Sequence, residues 1–197
     1  MHLEKIRKSY PKCIPISWLL REANKEIWFR IHSLPRSKRY PETQEEFEIL
    51  LKRHNELASD VLGKEEILLF WYGANVAGGI SGEHVISYNS DHIETDIYSK
   101  AIKWKPQKYN NYIKCVATEE CSSSIFYAQS SGNIYAPYDG GADVLIKSPD
   151  KPDDPLINKY AKVCIFLLQT LIKTRQFLLS RSKPFVYIRF TTTSEIF

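Results

Sequence analysis

The chain has 197 residues, 43% of them apolar and 25% charged, with a net charge of +4. These proportions exclude a disordered or collagen-like chain, and the length leaves room for one full core rather than two. Three of the eight glycines fall at Gly78, Gly79 and Gly82, which leaves few for a phosphate-binding scaffold elsewhere.

The charge is unevenly placed. Residues 155–197 hold seven basic residues and one acid, Glu195, a net of +6, so the preceding 154 residues carry −2. A slightly acidic body argues against nucleic acid as a partner, although 13% aromatic residues would otherwise suit a stacking platform. Cys13, Cys115, Cys121 and Cys164 form no C-x-x-C pair and no ligand spacing with a histidine. Free thiols of a cytoplasmic protein are therefore expected. The basic start, residues 1–8, is not followed by the apolar stretch of a secretory signal. The longest apolar run, 163–168, is six residues where a membrane span needs ~20.

In chain order, 17–25 reads as a short helix with Trp18 and Leu19 as its apolar contribution. In 26–32, Ile27, Phe29 and Ile31 alternate with Trp28, Arg30 and His32, a strand that sends the first set to the core. Pro35 and Pro41 keep 33–41 a loop. Thr43 and Glu46 then form an S/T-x-x-E capping box, in which each side chain satisfies the other residue's backbone N–H. Phe47, Leu50, Leu51, His54, Leu57, Ala58 and Val61 recur at helical spacing until Gly63. His54, on that stripe, reads as a core histidine.

Residues 66–72 have the apolar pattern of a strand covered on both faces. The polar, glycine-rich stretch 73–96 reads as a long irregular loop. A further strand is expected at 98–104. Pro106 opens a helix whose buried stripe is Tyr109, Tyr112, Ile113 and Val116. Strands at 124–129 and 134–138 make a hairpin, and a second turn at 139–142 leads to a strand at 143–147, before Pro149 and Pro152. The sum is a single α+β domain over residues 10–150, a mixed, mainly antiparallel sheet with helices packed on one face. Residues 151–197 follow as a basic apolar extension.

Three groups of residues could carry chemistry. Arg30, His32, Ser33, Arg36, Lys38 and Arg39 lead into the N-terminus of the capped helix, where free N–H groups and the helix dipole favour an anion. His32 would carry protons near neutral pH. The competing reading pairs these cations with Glu42, Glu45, Glu46 and Glu48 just downstream. Asp139 and Asp143 flank a Gly-Gly turn and suit acid/base work or a divalent metal, although Asp139 equally suits the turn itself. Glu83, His84, Asp91, His92, Glu94 and Asp96 are of metal-ligand type but lack zinc spacing, and read better as a solvated loop. The Gly78–Gly82 stretch lacks Gly-Lys-Ser/Thr and is no P-loop. No metal or cofactor is expected.

The run Trp28-Phe29-Arg30-Ile31-His32-Ser33-Leu34-Pro35-Arg36-Ser37-Lys38-Arg39-Tyr40-Pro41-Glu42 and the run Tyr138-Asp139-Gly140-Gly141-Ala142-Asp143 resemble two segments of an uncharacterised bacterial protein family. The resemblance spans about residues 17–149 and implies a bacterial cytoplasmic protein. It assigns no activity, ligand or residue role.

Two functional classes follow. The first is a non-enzymatic binding protein of immunity or regulatory type, taking a protein partner or a small anionic ligand, an analogy from size and class. The second is a hydrolase or transferase acting on a phosphorylated small molecule or nucleotide. There Arg30, His32, Arg36, Lys38 and Arg39 would hold the anion and Asp143 would be base or metal ligand. Convergence of Arg30, His32 and Asp143 in one pocket favours the second; Arg30 spent in a buried ion pair counts against it.

The tail admits two readings as well. Residues 163–179 could form a basic amphipathic helix that covers the sheet, dimerises or touches a membrane surface. Yet Phe166, Leu167, Leu168, Leu171, Ile172, Phe177, Leu178 and Leu179 wrap over half the helical circumference. No polar face is left, which favours a native fold ending near Tyr160.

Overall fold

The structure, a computed structural model, describes residues 1–25, 27–73, 80–90, 93–147, 159 and 187–188. The expectations for Gly78 and Gly79, for Asp91 and His92, for Cys164 and for the helix at 163–179 lie outside the described residues.

In chain order the elements are α1 (His2–Ser9), α2 (Ser17–Ala23), β1 (Trp28–His32), α3 (Gln44–Leu62), β2 (Glu66–Tyr72), β3 (Glu83–Ser90) and β4 (Ile93–Lys103). There follow α4 (Asn110–Ala117), β5 (Ile125–Ala128), β6 (Ile134–Tyr138), β7 (Gly141–Leu145) and β8 (Tyr187–Ile188). The strands form one sheet in the order β3-β4-β2-β5-β6-β7-β1-β8. Every described pairing is antiparallel except β1 with β8. The chain is thus an α+β domain with a mainly antiparallel sheet.

The capping box is formed: the Glu46 N–H donates to Thr43 Oγ1 and the Thr43 N–H donates to Glu46 Oε2, both at 3.2 Å. α3 and α4 lie on one face of the sheet, as the periodicity predicts. Leu50, Leu57, Val61, Ile113 and Val116 bury there against Ile67, Leu69, Phe126, Tyr135 and Val144. The other face is not open. Leu3, Ile6 and Tyr10 of α1 and its following turn, with Leu20 of α2, cover Leu68, Phe70, Tyr127, Ile134 and Leu145. Burial on both faces is why β2 reads as a continuous apolar run.

Four expectations need correction. α1, upstream of the expected start at residue 10, is a helix the sequence reading lacked. In α2 the buried residue is Leu20, while Trp18 is 44% exposed. Residues 73–96 are not a loop throughout, since β3 and the first residues of β4 form a hairpin within them. Cys115 and Cys121 are not free thiols: the chain turns back after α4 and joins them in a disulfide. Among the described residues Cys13 is a free, buried thiol.

Candidate functional site

β1 and β7 run antiparallel in a register that sets Arg30 opposite Asp143. Residues 28, 30 and 32 share one strand face, the face covered by α1 and α2. There Arg30 donates to Asp143 from Nε at 2.9 Å and from Nη2 at 3.1 Å, and Arg21 of α2 adds a third nitrogen at 3.5 Å. The Arg30 guanidinium also lies 5.0 Å from the Trp28 ring and 4.4 Å from the Tyr138 ring. Asp143 is only 4% exposed. Burial pushes its carboxyl above the ordinary aspartate value, against the opposing pull of Arg30 and Arg21.

Gly141, the first residue of β7, is demanded by close approach, because a Cβ there would overlap the Ile31 carbonyl oxygen. Asp139 pairs with Arg39, which also reaches Glu119 at 3.6 Å. The Tyr40 hydroxyl donates to the same Glu119 at 2.8 Å.

Ser33 turns to the opposite side of the sheet. Its Oγ is 2.5 Å from His54 Nε2, and His54 Nδ1 is 2.6 Å from the Tyr135 hydroxyl, all three buried. Burial lowers the His54 pKa to about 3, so the ring is neutral. A neutral ring donates from one nitrogen and accepts at the other, and this chain of three satisfies it inside the core. Arg53 fixes the loop further by donating to the Ser33 carbonyl at 2.9 Å.

The helix N-terminus does hold an anion, and the chain supplies it. The Glu46 carboxylate accepts the Glu42 N–H at 2.7 Å and the Thr43 N–H at 3.2 Å. Lys38 covers it at 2.7 and 2.9 Å and reaches Glu42 at 3.0 Å. Lys38 and these N–H groups hold the Glu46 carboxyl below its ordinary value. Arg36 is exposed at φ 55°, and His32 is half-buried on the Arg30 face. The structure therefore joins Arg30 to Asp143 and Arg39 to Asp139, and separates both from Ser33.

A second region, missed by the sequence reading, lies where β3 and β4 extend past α3 and α4. α3 packs on β5, β6 and β7, and α4 on β6. The free end of that sheet face opens into a cleft of about 570 Å³ walled by Trp71, Tyr72, Gly82, Glu94, Asp96 and Tyr98. Trp71 and Tyr98 stack with ring centres 6.1 Å apart and planes at 24°. Gly82 has no room for a side chain, since a Cβ would sit 2.6 Å from the Ser99 carbonyl oxygen and inside the Trp71 ring. The only signal in the sequence was the aromatic end of 66–72, Phe70-Trp71-Tyr72.

Beside the cleft, Ser87 donates to Asp96 Oδ1 at 2.6 Å, and His84 Nε2 lies 3.1 Å from both. The Ser87 bond first, then His84, holds the Asp96 carboxyl below its ordinary value. An activated serine has its proton aimed at a base that a third group orients. Here both partners meet the same imidazole nitrogen and the serine proton goes to a weakened base. Among the described residues no group of three His, Cys, Asp or Glu side chains is set to hold a metal ion. None of the described helices is long and apolar enough to cross a membrane.

A protein-family model described as a domain of unknown function, DUF3885, matches residues 16–164, which takes in α2 through β7. Neither the curated proteins nor the solved structures contain a match to the chain.

Proposed function

The chain belongs to the DUF3885 family, whose function is unknown, and from that premise we propose a non-enzymatic bacterial binding protein of immunity or regulatory type. The observation that carries this reading is how the polar groups of residues 30–39 are used. Arg30 is spent on Asp143, Lys38 on Glu46 and Arg39 on Asp139, and Ser33 is spent on His54. These contacts tie the loop to the sheet and to α3, which is the work of a rigid frame. What the frame presents is the outer edge of β3, which has no strand beyond it among the described residues. An unpaired edge is a ready surface for another chain.

The same reading takes residues 151–197 as a basic apolar extension of a domain that closes near residue 150, with α1 added at its start. The family match ends at residue 164, so residues 165–197 lie outside it. The described tail strand, two residues, joins the sheet at its edge beside β1 rather than within it.

The test uses the full chain with a photo-crosslinker in place of Asn89 on β3, and a control with it in place of Lys52 on α3, both exposed. The reading expects one bacterial protein crosslinked from position 89 and not from position 52, which rebinds 1:1 when purified. Equal labelling from both positions, or turnover of a nucleotide or sugar phosphate by the chain, overturns it. Turnover would favour the hydrolase or transferase reading, with Arg30, His32, Arg36, Lys38, Arg39 and Asp143 as its site.

A further inference from the structure

We propose that the cleft at the β3–β4 end receives a basic side chain, lysine or arginine, from the partner protein, an inference that rests on the binding reading above. The charge of the lining is the first argument. Glu94 and Asp96 stand two residues apart on one face of β4, at the mouth of the cleft. No lysine or arginine is among the described residues that line it. Elsewhere the acids that matter are matched: Glu46 by Lys38, Asp139 by Arg39, Asp143 by Arg30 and Arg21. In this cleft neither carboxylate meets a lysine or arginine among the described residues; the partners of Asp96 are Ser87 and His84.

The walls are the second argument. Tyr72 and Tyr98, both half-buried, line the cleft together with the carboxylates, and aromatic faces attract ammonium and guanidinium groups. They also cover the methylene stem that carries such a group. At about 570 Å³ the open cleft has room for one such side chain. Gly82 lets the chain leading into β3 pass directly against the Trp71 ring, and Tyr98 stacks with the same indole.

The neighbouring edge strand favours a protein over a free amine and over the chain's own tail. The cleft is lined by residues 80–82, which lead into β3, and by Glu94, Asp96 and Tyr98 of β4, the strand next to β3. A long side chain from a backbone lying along the β3 edge, unpaired among the described residues, therefore has only β3 to cross. The described tail strand, β8, is at the opposite edge of the eight-stranded sheet, with all the other strands between.

The experiment is an NMR titration of the full chain with Nα-acetyl-lysine methylamide and Nα-acetyl-arginine methylamide, with the norleucine analogue as the neutral probe of equal length. The expected result is a saturable shift of the Trp71 indole N–H and the Gly82 amide with a basic probe and not with norleucine. The double variant E94Q/D96N should weaken it about tenfold, in line with the loss of a favourable charge contact. Both positions are exposed, and E94K alone, which leaves the Asp96 contacts to Ser87 and His84 intact, should weaken it as well. No saturable shift, an equal response to norleucine, or indifference to both variants overturns the proposal. Should position 89 still crosslink a partner while Trp71 ignores the basic probes, the cleft assignment falls and the binding reading stands. Turnover of a phosphorylated substrate overturns the binding reading itself.

Discussion

Arg30 and Asp143, 113 residues apart in sequence, meet side by side on β1 and β7 through two N–H···O bonds of 2.9 and 3.1 Å. The pair lies between the sheet and α2, with Arg21 as a second cation on the same carboxylate. Removing one partner of such a pair leaves the other's charge desolvated and unmatched. Asp143→Asn should therefore cost about 3 kcal/mol in urea unfolding. The double variant Arg30→Met with Asp143→Leu should recover most of that loss, because apolar replacement of a whole pair is tolerated far better. A single-variant cost under about 1 kcal/mol would remove the pair from the frame, since that is the worth of an exposed pair.

His54 gives the fold an acid limit. Its folded pKa is about 3, whereas a histidine in the unfolded chain titrates near 6.5. Below about 6.5 the unfolded chain takes up a proton that the folded chain refuses. This contribution is intact above about 6.5 and is lost as pH falls toward 3, at up to about 1.4 kcal/mol per pH unit. Urea unfolding at pH 7, 6 and 5 measures the slope, and His54→Gln should flatten it by about one proton. Equal slopes in the two proteins would contradict the buried, neutral assignment.

Much of this frame is legible in the sequence, and the failures have physical reasons. α3 is announced by Thr43, Glu46 and a seven-residue apolar stripe, and β2 and β6 by their apolar runs. β3 is not announced because it is an edge strand of mostly half-exposed residues, with a register shift between His84 and Ile86 that breaks its alternation. α1 is eight residues without a side-chain N-cap, and its buried Leu3 and Ile6 are too few to mark a periodicity. Arg30 and Asp143 were each legible as polar residues on strands, but their pairing depends on strand order, which one sequence does not contain. The same holds for Trp71 and Tyr98, which become a cleft wall only once β2 and β4 are neighbours.

The Cys115–Cys121 disulfide closes a short loop at the end of α4 and holds Glu119 where it meets Arg39 and Tyr40. Loop-closure entropy for a ring of this size gives about 2 kcal/mol of stabilisation. Cys115→Ser should lower unfolding stability by about that amount, and the oxidised protein should show two fewer reactive thiols than the reduced one after denaturation. An unchanged thiol count would show that the bond does not form.

Arg36 sits at φ 55° in a single 3-10 turn, with its side chain exposed. A side chain in the left-handed region costs roughly 1–2 kcal/mol, of which glycine's greater chain entropy returns about half. Arg36→Gly should therefore raise stability by up to about 1 kcal/mol. A loss of stability would mean that the guanidinium makes a contact that the fold needs.

The central claim is that Arg30, Lys38 and Arg39 are engaged in holding the frame together and that residues 30–39 are not a phosphate site. Its most direct test is the melting temperature of the full chain with inorganic phosphate, a set of nucleotides and magnesium, because a ligand of the folded state raises stability by mass action. The account predicts an unchanged melting temperature across the set, since Arg30, Lys38 and Arg39 are engaged with Asp143, Glu46 and Asp139. A saturable rise with phosphate or a nucleotide, abolished by Arg36→Ala or Lys38→Ala, would contradict it.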